Sequence, residues 1–362
     1  MARVAPRLSG RATNLSVLAA LVLVFATGLG AVATGSPRGR WIVIGHGLGA
    51  FALIFLIPWK SIVVRRGWLR ARATRWASLA LVVLVLAVIV AGLSSATGLV
   101  VSVGGFETLW WHIAIALGLV PLLLFHLVTR PVRIVRSLRR PGHAEVARRD
   151  QLGRRRTQLN RRAALRLGTI AGLAAAAYPL NEVVLRVAGA PGGRRRFTGS
   201  HEVVSADPAA IPATIWLDDE IPIIDVSGWR LTVVDGTGRR ELGLSELARH
   251  EQTVRAVLDC TSGWYAEHDW SGCPVSALVS AHRGDRSLYV HSVTGYWIRF
   301  PVEEVDELLL ATQVSGQRLL VGHGYPLRLV APGRRGYWWV KWVDRIELQA
   351  TPAWWQPPFP VT

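Results

Sequence analysis

The sequence predicts an α-helical membrane bundle of five transmembrane helices, followed by an α+β domain. Three observations carry this. Five apolar runs approach the ~20 residues that a helix needs to cross a bilayer. Basic residues crowd beside those runs. From about Phe197 the apolar runs shorten and alternate with Gly, Asp and Pro turn signals, as in a strand-rich domain.

The runs are Leu15–Gly35, Trp41–Trp59, Trp76–Val100, Thr108–Thr129 and Ala163–Val187. The fifth is rich in Ala and Gly and carries Asn181 and Glu182. Hydrophobic residues make up 51% of the 362, too many for an ordinary soluble domain. The formal charge of +18 would suit a nucleic-acid partner, but these arginines flank apolar runs, so membrane topology accounts for them and no nucleic acid is expected. Lys60, Arg65, Arg66, Arg70, Arg72 and Arg75 follow the second run, whereas Val101–Glu107 holds no basic residue. Lys and Arg mark the cytoplasmic side, so the N-terminus is expected inside and the C-terminal domain outside the cytoplasm of a multi-pass cell-membrane protein in contact with lipid. A channel or transporter is disfavoured, because the spans hold no acidic residue besides Glu182.

The expected organisation is a four-helix membrane domain over residues 1–135. A basic cytoplasmic linker with the fifth helix follows over 136–195, then the extracytoplasmic domain over 196–362. Asn160-Arg161-Arg162-Ala163-Ala164-Leu165-Arg166, ahead of the fifth run, has the form of a twin-arginine export signal placed internally. Ala188-Gly189-Ala190 resembles a cleavage site, but Pro191 follows directly, so the helix is expected to remain as an anchor. In the last domain, strands are expected at Thr214–Leu217, Trp229–Val234, Ser287–His291, Tyr296–Phe300, Arg318–Val321 and Tyr337–Leu348. Brief helices are expected at Leu244–His250, Val275–Ala281 and Val302–Thr312. No internal repeat is evident.

The two cysteines, Cys260 and Cys273, allow one disulfide and no structural zinc site. Cys260 follows a strand-like Val254–Leu258 and stands before Gly263-Trp264 and Trp270-Ser271-Gly272. A thiolate there is a soft ligand suited to a redox metal. Downstream lie His323-Gly324-Tyr325-Pro326-Leu327-Arg328-Leu329-Val330, Pro332-Gly333, Gly336 and Val340-Lys341-Trp342, continuing to Ile346-Glu347.

Together these segments resemble the two signatures of the sulfite oxidase family of molybdopterin-dependent oxidoreductases. The resemblance implies that Cys260 ligates molybdenum and is the catalytic residue. His323, Arg328 and Lys341 would hold the pterin and its phosphate, with Gly263 and Trp264 beside it. Arg offers two-pronged donation to a phosphate, Lys a point charge. Two-electron oxygen-atom transfer on a small-molecule substrate follows as the expected reaction, the metal carrying the chemistry. Upstream of Cys260 no arginine pair matches the anion pocket of true sulfite oxidases, so sulfite itself is not implied. Further substrate-side candidates are Trp264, Tyr265, His268, Asp269, His291 and Arg299. The competing class is a non-catalytic membrane protein whose degenerate molybdopterin-like domain binds a ligand or partner. Intact Cys260, Arg328 and Lys341 stand against it.

Histidines at membrane depth are functional candidates by default. His46 and His112 each lie five residues inside an inward-running segment, roughly 8 Å below the outer face at 1.5 Å per residue. Their matching depth would let them hold a b-type haem iron, with Gly45, Gly47 and Gly49 leaving room for the ring. His126 lies on nearly the same helical face as His112, but its partner position near residue 60 is Lys60, so at most one bis-histidine site is complete. Electrons would pass to or from the membrane through haem b, a quinone or a redox partner protein.

Overall fold

A computed structural model describes residues 10–68, 75–100, 102–128, 150–203, 207–214 and 220–357. The chain forms two compact units: Met1–Ala31 with Arg40–Arg194, and Val32–Gly39 with Arg195–Thr362.

The first unit is helical: α1 (Gly10–Ala33), α2 (Arg40–Trp68), α3 (Arg75–Thr97), α4 (Thr108–Val128) and α5 (Asp150–Val187). A two-stranded hairpin, β1 (Ser102–Val103) and β2 (Phe106–Glu107), joins α3 to α4. Five helices are long and apolar enough to cross a membrane, over Ala12–Ala33, Pro37–Arg65, Trp76–Thr97, Thr108–Val128 and Ala163–Val187. Leucines and valines such as Val22, Val83, Val90 and Leu124 point outward from them.

Helix α5 differs from its expected form. It runs for 38 residues and begins well before the apolar run. The Asn160–Arg166 segment therefore lies on a continuous helix and not in an irregular linker. Gln, Leu, Arg and Ala are good helix formers, so the basic stretch continues the helix at little cost. Most of the linker itself lies outside the described residues.

The second unit contains two sheets. In the first, the order is β11 (Gln317–Arg318), β10 (Leu309–Val314), β7 (Trp264–Pro274), β3 (His201–Glu202), with β12 (Arg328–Val330) also pairing β10 and β6 (Gln252–Asp259) pairing β7. The second runs β5 (Gly238–Leu242), β4 (Leu231–Asp235), β13 (Val343–Gln349), β8 (Ser287–Ser292), β9 (Trp297–Pro301). The inward residues alternate as a half-buried strand requires: Leu288 and Val290 on β8, Ile298 and Phe300 on β9. Each such side chain contributes about 1.5–3 kcal/mol through burial.

Several sequence expectations are corrected here. The helix expected over Val302–Thr312 ends at Glu307, and Leu309–Val314 is a strand. Leu309, Leu310 and Ala311 are all buried between β7 and β12, so pairing on both sides overrides local propensity. Val275–Ala281 shrinks to one 3-10 turn, Val275–Ala277. Arg318–Val321 and Tyr337–Leu348 are each split between a strand and a 3-10 turn. Most of Thr214–Leu217 lies outside the described residues. Strand β7, which carries His268 and Asp269, is the longest among the described residues and is not among the expected strands.

Strand β10 carries an irregularity between Ala311 and Gln313, opposite Gly272 of β7. A Cβ at Gly272 would run into the backbone of Leu310 and Ala311. Gly272→Ala is expected to destabilise this unit by about 2–4 kcal/mol, since neither strand can move without breaking its ladder. Denaturant unfolding followed by tryptophan fluorescence checks this, and a loss under ~0.5 kcal/mol would contradict it.

Candidate molybdopterin site

Strands β6 and β7 form a hairpin whose turn carries the thiol. Cys260 is buried, and its N–H donates to Trp264 O at 2.8 Å. Gly263 takes a φ of 108°, which an L side chain rarely adopts, so the turn needs glycine. Ser262 Oγ donates to Cys260 Sγ at 3.2 Å.

Behind the thiol lies a buried ionic network. Asp259 accepts from Thr198 Oγ1 at 2.8 Å, Ser200 Oγ at 2.7 Å and Arg196 Nε at 3.1 Å, and is paired to Arg335. Arg335 reaches onward, donating to Cys260 O at 2.9 Å. The Asp259 and Arg335 side chains are each only 2% exposed. Gly336 lies against the thiol's own backbone: a Cβ there would stand 3.1 Å from Cys260 Cα.

The second motif supplies the remaining parts. His323 is buried, with Nε2 bonded to Ile211 O at 2.7 Å, and Arg328 donates to His323 O at 2.9 Å. The Arg328 guanidinium lies beside the Trp270–Trp339 pair, 5.6 and 5.8 Å from ring centres that are themselves 5.3 Å apart. Gly324 has a φ of 107°, and a Cβ there would crowd both Lys341 and Arg328. This glycine therefore lets the two cationic side chains approach one another. Lys341 Nζ donates to Gly322 O at 2.7 Å and Thr214 O at 2.9 Å, and Trp264 Nε1 donates to Thr214 Oγ1 at 3.3 Å. Trp264 and Lys341 thus converge on one residue.

Burial pushes Arg328 down to about 10, against the nearby charge of Cys260, which raises it; the side chain stays protonated at neutral pH. His323 is lowered by burial first, with Arg328, Lys341 and His268 adding to this and its bond to Ile211 opposing it. His268 is likewise lowered, chiefly by burial. Burial also lifts the Cys273 thiol to about 11. Both cysteines are free.

Of the remaining candidates, Trp264 and His268 share the inward face of β7, whereas Tyr265 and Asp269 face the other way. His291 and Arg299 lie on the second sheet: His291 Nδ1 meets Asp344 at 2.8 Å, and Arg299 stacks on Trp297 and Tyr289. These two belong to a surface ladder and have no part in the thiol's surroundings. Asp259, Arg335 and the Thr198–Ser200 pair were not singled out in the sequence, although Asp259 adjoins Cys260 and Arg335 falls within the second motif.

In the helical unit, His46 and His112 come together, their ring centres 5.9 Å apart. Gly45, Gly47 and Gly49 do not line the space beside them. Gly47 abuts Tyr178, Gly49 abuts Val24 and Gly45 lies near Thr27, so these glycines serve helix packing. The glycines facing the imidazoles are Gly28 and Gly92.

Residues 218–355 match the family described as oxidoreductase molybdopterin binding domain. The mouse mitochondrial sulfite oxidase is 27% identical over 167 residues, covering 36% of this chain and 31% of that one. A nitrate reductase [NADPH] of Mycosarcoma maydis is 40% identical over 55 residues, 15% of this chain and 6% of that one. Among solved structures, the sulfane dehydrogenase SoxCD of Paracoccus pantotrophus is 25% identical with a TM-score of 0.35, covering 36% of this chain and 40% of that chain. The chain thus spans about a third of the length of the mitochondrial sulfite oxidases it matches. The C-terminal unit is accordingly a molybdopterin-binding domain of the oxidoreductase class. Within that class it is sulfite oxidase-like.

The residues present fit such a cofactor. His323 Nδ1, Arg328 Nε and His268 Nε2 are buried without a hydrogen-bond partner among the described residues. A buried polar atom left unpaired costs about 1–3 kcal/mol, so a polar group that meets it is strongly favoured.

Asp259→Ala would leave the Arg335 charge buried and uncompensated, with Thr198 and Ser200 deprived of their acceptor. A loss of about 3–5 kcal/mol is expected. Chemical denaturation of wild type and variant measures it, and a change below ~1 kcal/mol would show that the pair does not anchor the thiol turn.

Proposed function

We infer that this protein is a membrane-anchored molybdopterin-dependent oxidoreductase that transfers an oxygen atom to or from a small substrate outside the cytoplasm. The net conversion is X + H2O ⇌ XO + 2 H+ + 2 e−, with the electrons exchanged with the membrane through haem b or a quinone. The single observation that carries the reading is the buried, disulfide-free Cys260 held by the Asp259–Arg335 pair inside a matched molybdopterin-binding domain.

When bound, molybdenum on its pterin supplies the two-electron oxygen-atom chemistry. The chain's own residues do the rest. Cys260 ligates the metal, and Ser262 donates to its sulfur. Arg335 donates to the Cys260 carbonyl and so holds the turn that carries the thiol. His323, Arg328 and Lys341 hold the pterin and its phosphate, beside Gly263 and Trp264. Trp270 and Trp339 keep the Arg328 guanidinium in a dry slot, where a charged donor is worth most.

Five apolar helices support the anchor, and the basic residues between Lys60 and Arg75, against the uncharged Val101–Phe106, support a cytoplasmic N-terminus. The twin-arginine-like segment ahead of the fifth apolar run is in keeping with export of a domain loaded beforehand.

Cys260→Ser is expected to fold with unchanged secondary structure yet lose turnover with artificial electron donors and acceptors by at least ~10³-fold, because hard oxygen replaces the soft ligand. Activity within tenfold of wild type, in protein shown to contain molybdenum, would overturn the role given to Cys260.

A further inference from the structure

The helical unit brings two histidines together from two similar halves. In the first, His46 of α2 places Nδ1 2.8 Å from Val24 O on α1, and a Cβ at Gly28 would stand 3.1 Å from its ring. In the second, His112 of α4 places Nδ1 2.8 Å from Val88 O on α3, and a Cβ at Gly92 would stand 2.9 Å from that nitrogen. Each half thus has a carbonyl, a glycine four residues later, and a histidine on the next helix. Val24 and Val88 are 64 positions apart, as are Gly28 and Gly92, and the histidines are 66 apart. The recurrence escapes a reading of the sequence because only three positions in each half carry it.

A carbonyl can only accept, so each Nδ1 must donate. That fixes the proton there and leaves the lone pair of the neutral ring on Nε2. Neither Nε2 has a hydrogen-bond partner among the described residues. Each ring is tied to its own flanking helix, and the rings meet each other 5.9 Å apart at an interplanar angle of 88°. The two rings lie together in an apolar bundle, and among the described residues no donor meets either Nε2, which leaves two lone pairs uncompensated. A cation shared by both removes that cost.

The choice of cation follows from ligand number. No group of three or more His, Cys, Asp or Glu that could hold a metal occurs among the described residues. A bare divalent ion wants four or more ligands. Haem iron brings four with its macrocycle and asks the protein for two axial ones. Two metal–imidazole bonds of about 2 Å plus two ring radii of about 1 Å give about 6 Å, the separation seen. Nearer the other end of the bundle Lys60 donates to Asn14 at 2.9 Å.

We propose that His46 and His112 are the axial ligands of a single b-type haem, pinned by the Val24 and Val88 carbonyls with nearly perpendicular imidazole planes. The proposal deepens the electron-exchange part of the function inferred above and rests on that reading only for its purpose. The haem serves as a one-electron carrier in the membrane unit. Gly28 and Gly92 are positioning residues that give each ring space to seat.

The test uses the full-length protein purified in detergent from a host supplied with a haem precursor. One haem per chain by pyridine haemochromogen assay is expected. The ferric form should be low-spin, with the highly anisotropic EPR signal of crossed imidazoles in place of the rhombic three-line spectrum of parallel ones. His46→Ala and His112→Ala should each lower haem content at least tenfold while molybdenum content stays at the wild-type level. Should either variant fold poorly, Gly92→Ala provides a milder check: its haem should stay bound with a shifted largest g value. Cys260→Ser should keep its full haem, which separates failure of this site from failure of the molybdenum reading. A well-folded, molybdenum-containing preparation without haem would overturn the proposal. So would full haem retention in both histidine variants, or a rhombic spectrum.

Discussion

The C-terminal unit depends on one buried ion pair. Asp259 and Arg335 lie 76 residues apart in the sequence, yet both side chains are excluded from water and paired. Two buried charges alone would be a poor source of stability, because desolvation offsets their attraction. Here the cost is met by a complete hydrogen-bond shell on the carboxylate, from Thr198, Ser200 and Arg196, while Arg335 also bonds Cys260 O. The result is positional: the turn bearing the thiol is held from behind by the same loop that carries Gly336. The pair joins the first cysteine motif to the second and makes one site of two distant stretches.

The two sheets position the remaining parts. β7 turns one face inward, so Trp264, His268 and Trp270 line a single row, and β12 delivers Arg328 beside Trp270. Arg328 then reports the character of the interior. Burial lowers it to about 10, yet it remains a cation at neutral pH, which suits it to an anionic group such as a phosphate. His323, lowered by the same burial and by neighbouring cations, is neutral there and can offer Nδ1 without adding charge.

Much of this was legible in the sequence, for identifiable reasons. The five apolar runs announce themselves because spanning a bilayer needs a length and composition that little else requires. Cys260, His323, Arg328 and Lys341 stand out in the sequence by motif and spacing, and their role as a site remains the proposal made above. The structure brings Trp264 and Lys341 onto Thr214, and Arg328 onto His323. What stayed hidden was tertiary. Leu309–Val314 reads as helix on local pattern, and becomes strand because β7 and β12 claim both of its edges. Asp259 and Arg335 look like ordinary polar residues until the fold buries them together. That Gly28 and Gly92 face the imidazoles of the helical unit was likewise hidden, because which helix face packs on which neighbour is not written in spacing alone.

The central claim is that the Cys260 sulfur is bonded to molybdenum. X-ray absorption at the molybdenum edge addresses it directly, since sulfur neighbours can be counted. Wild-type protein should show the two sulfurs of one pterin dithiolene plus one more, and Cys260→Ser should lose that third sulfur alone while its pterin content holds. An unchanged sulfur shell in the variant would mean that the thiol is not a ligand.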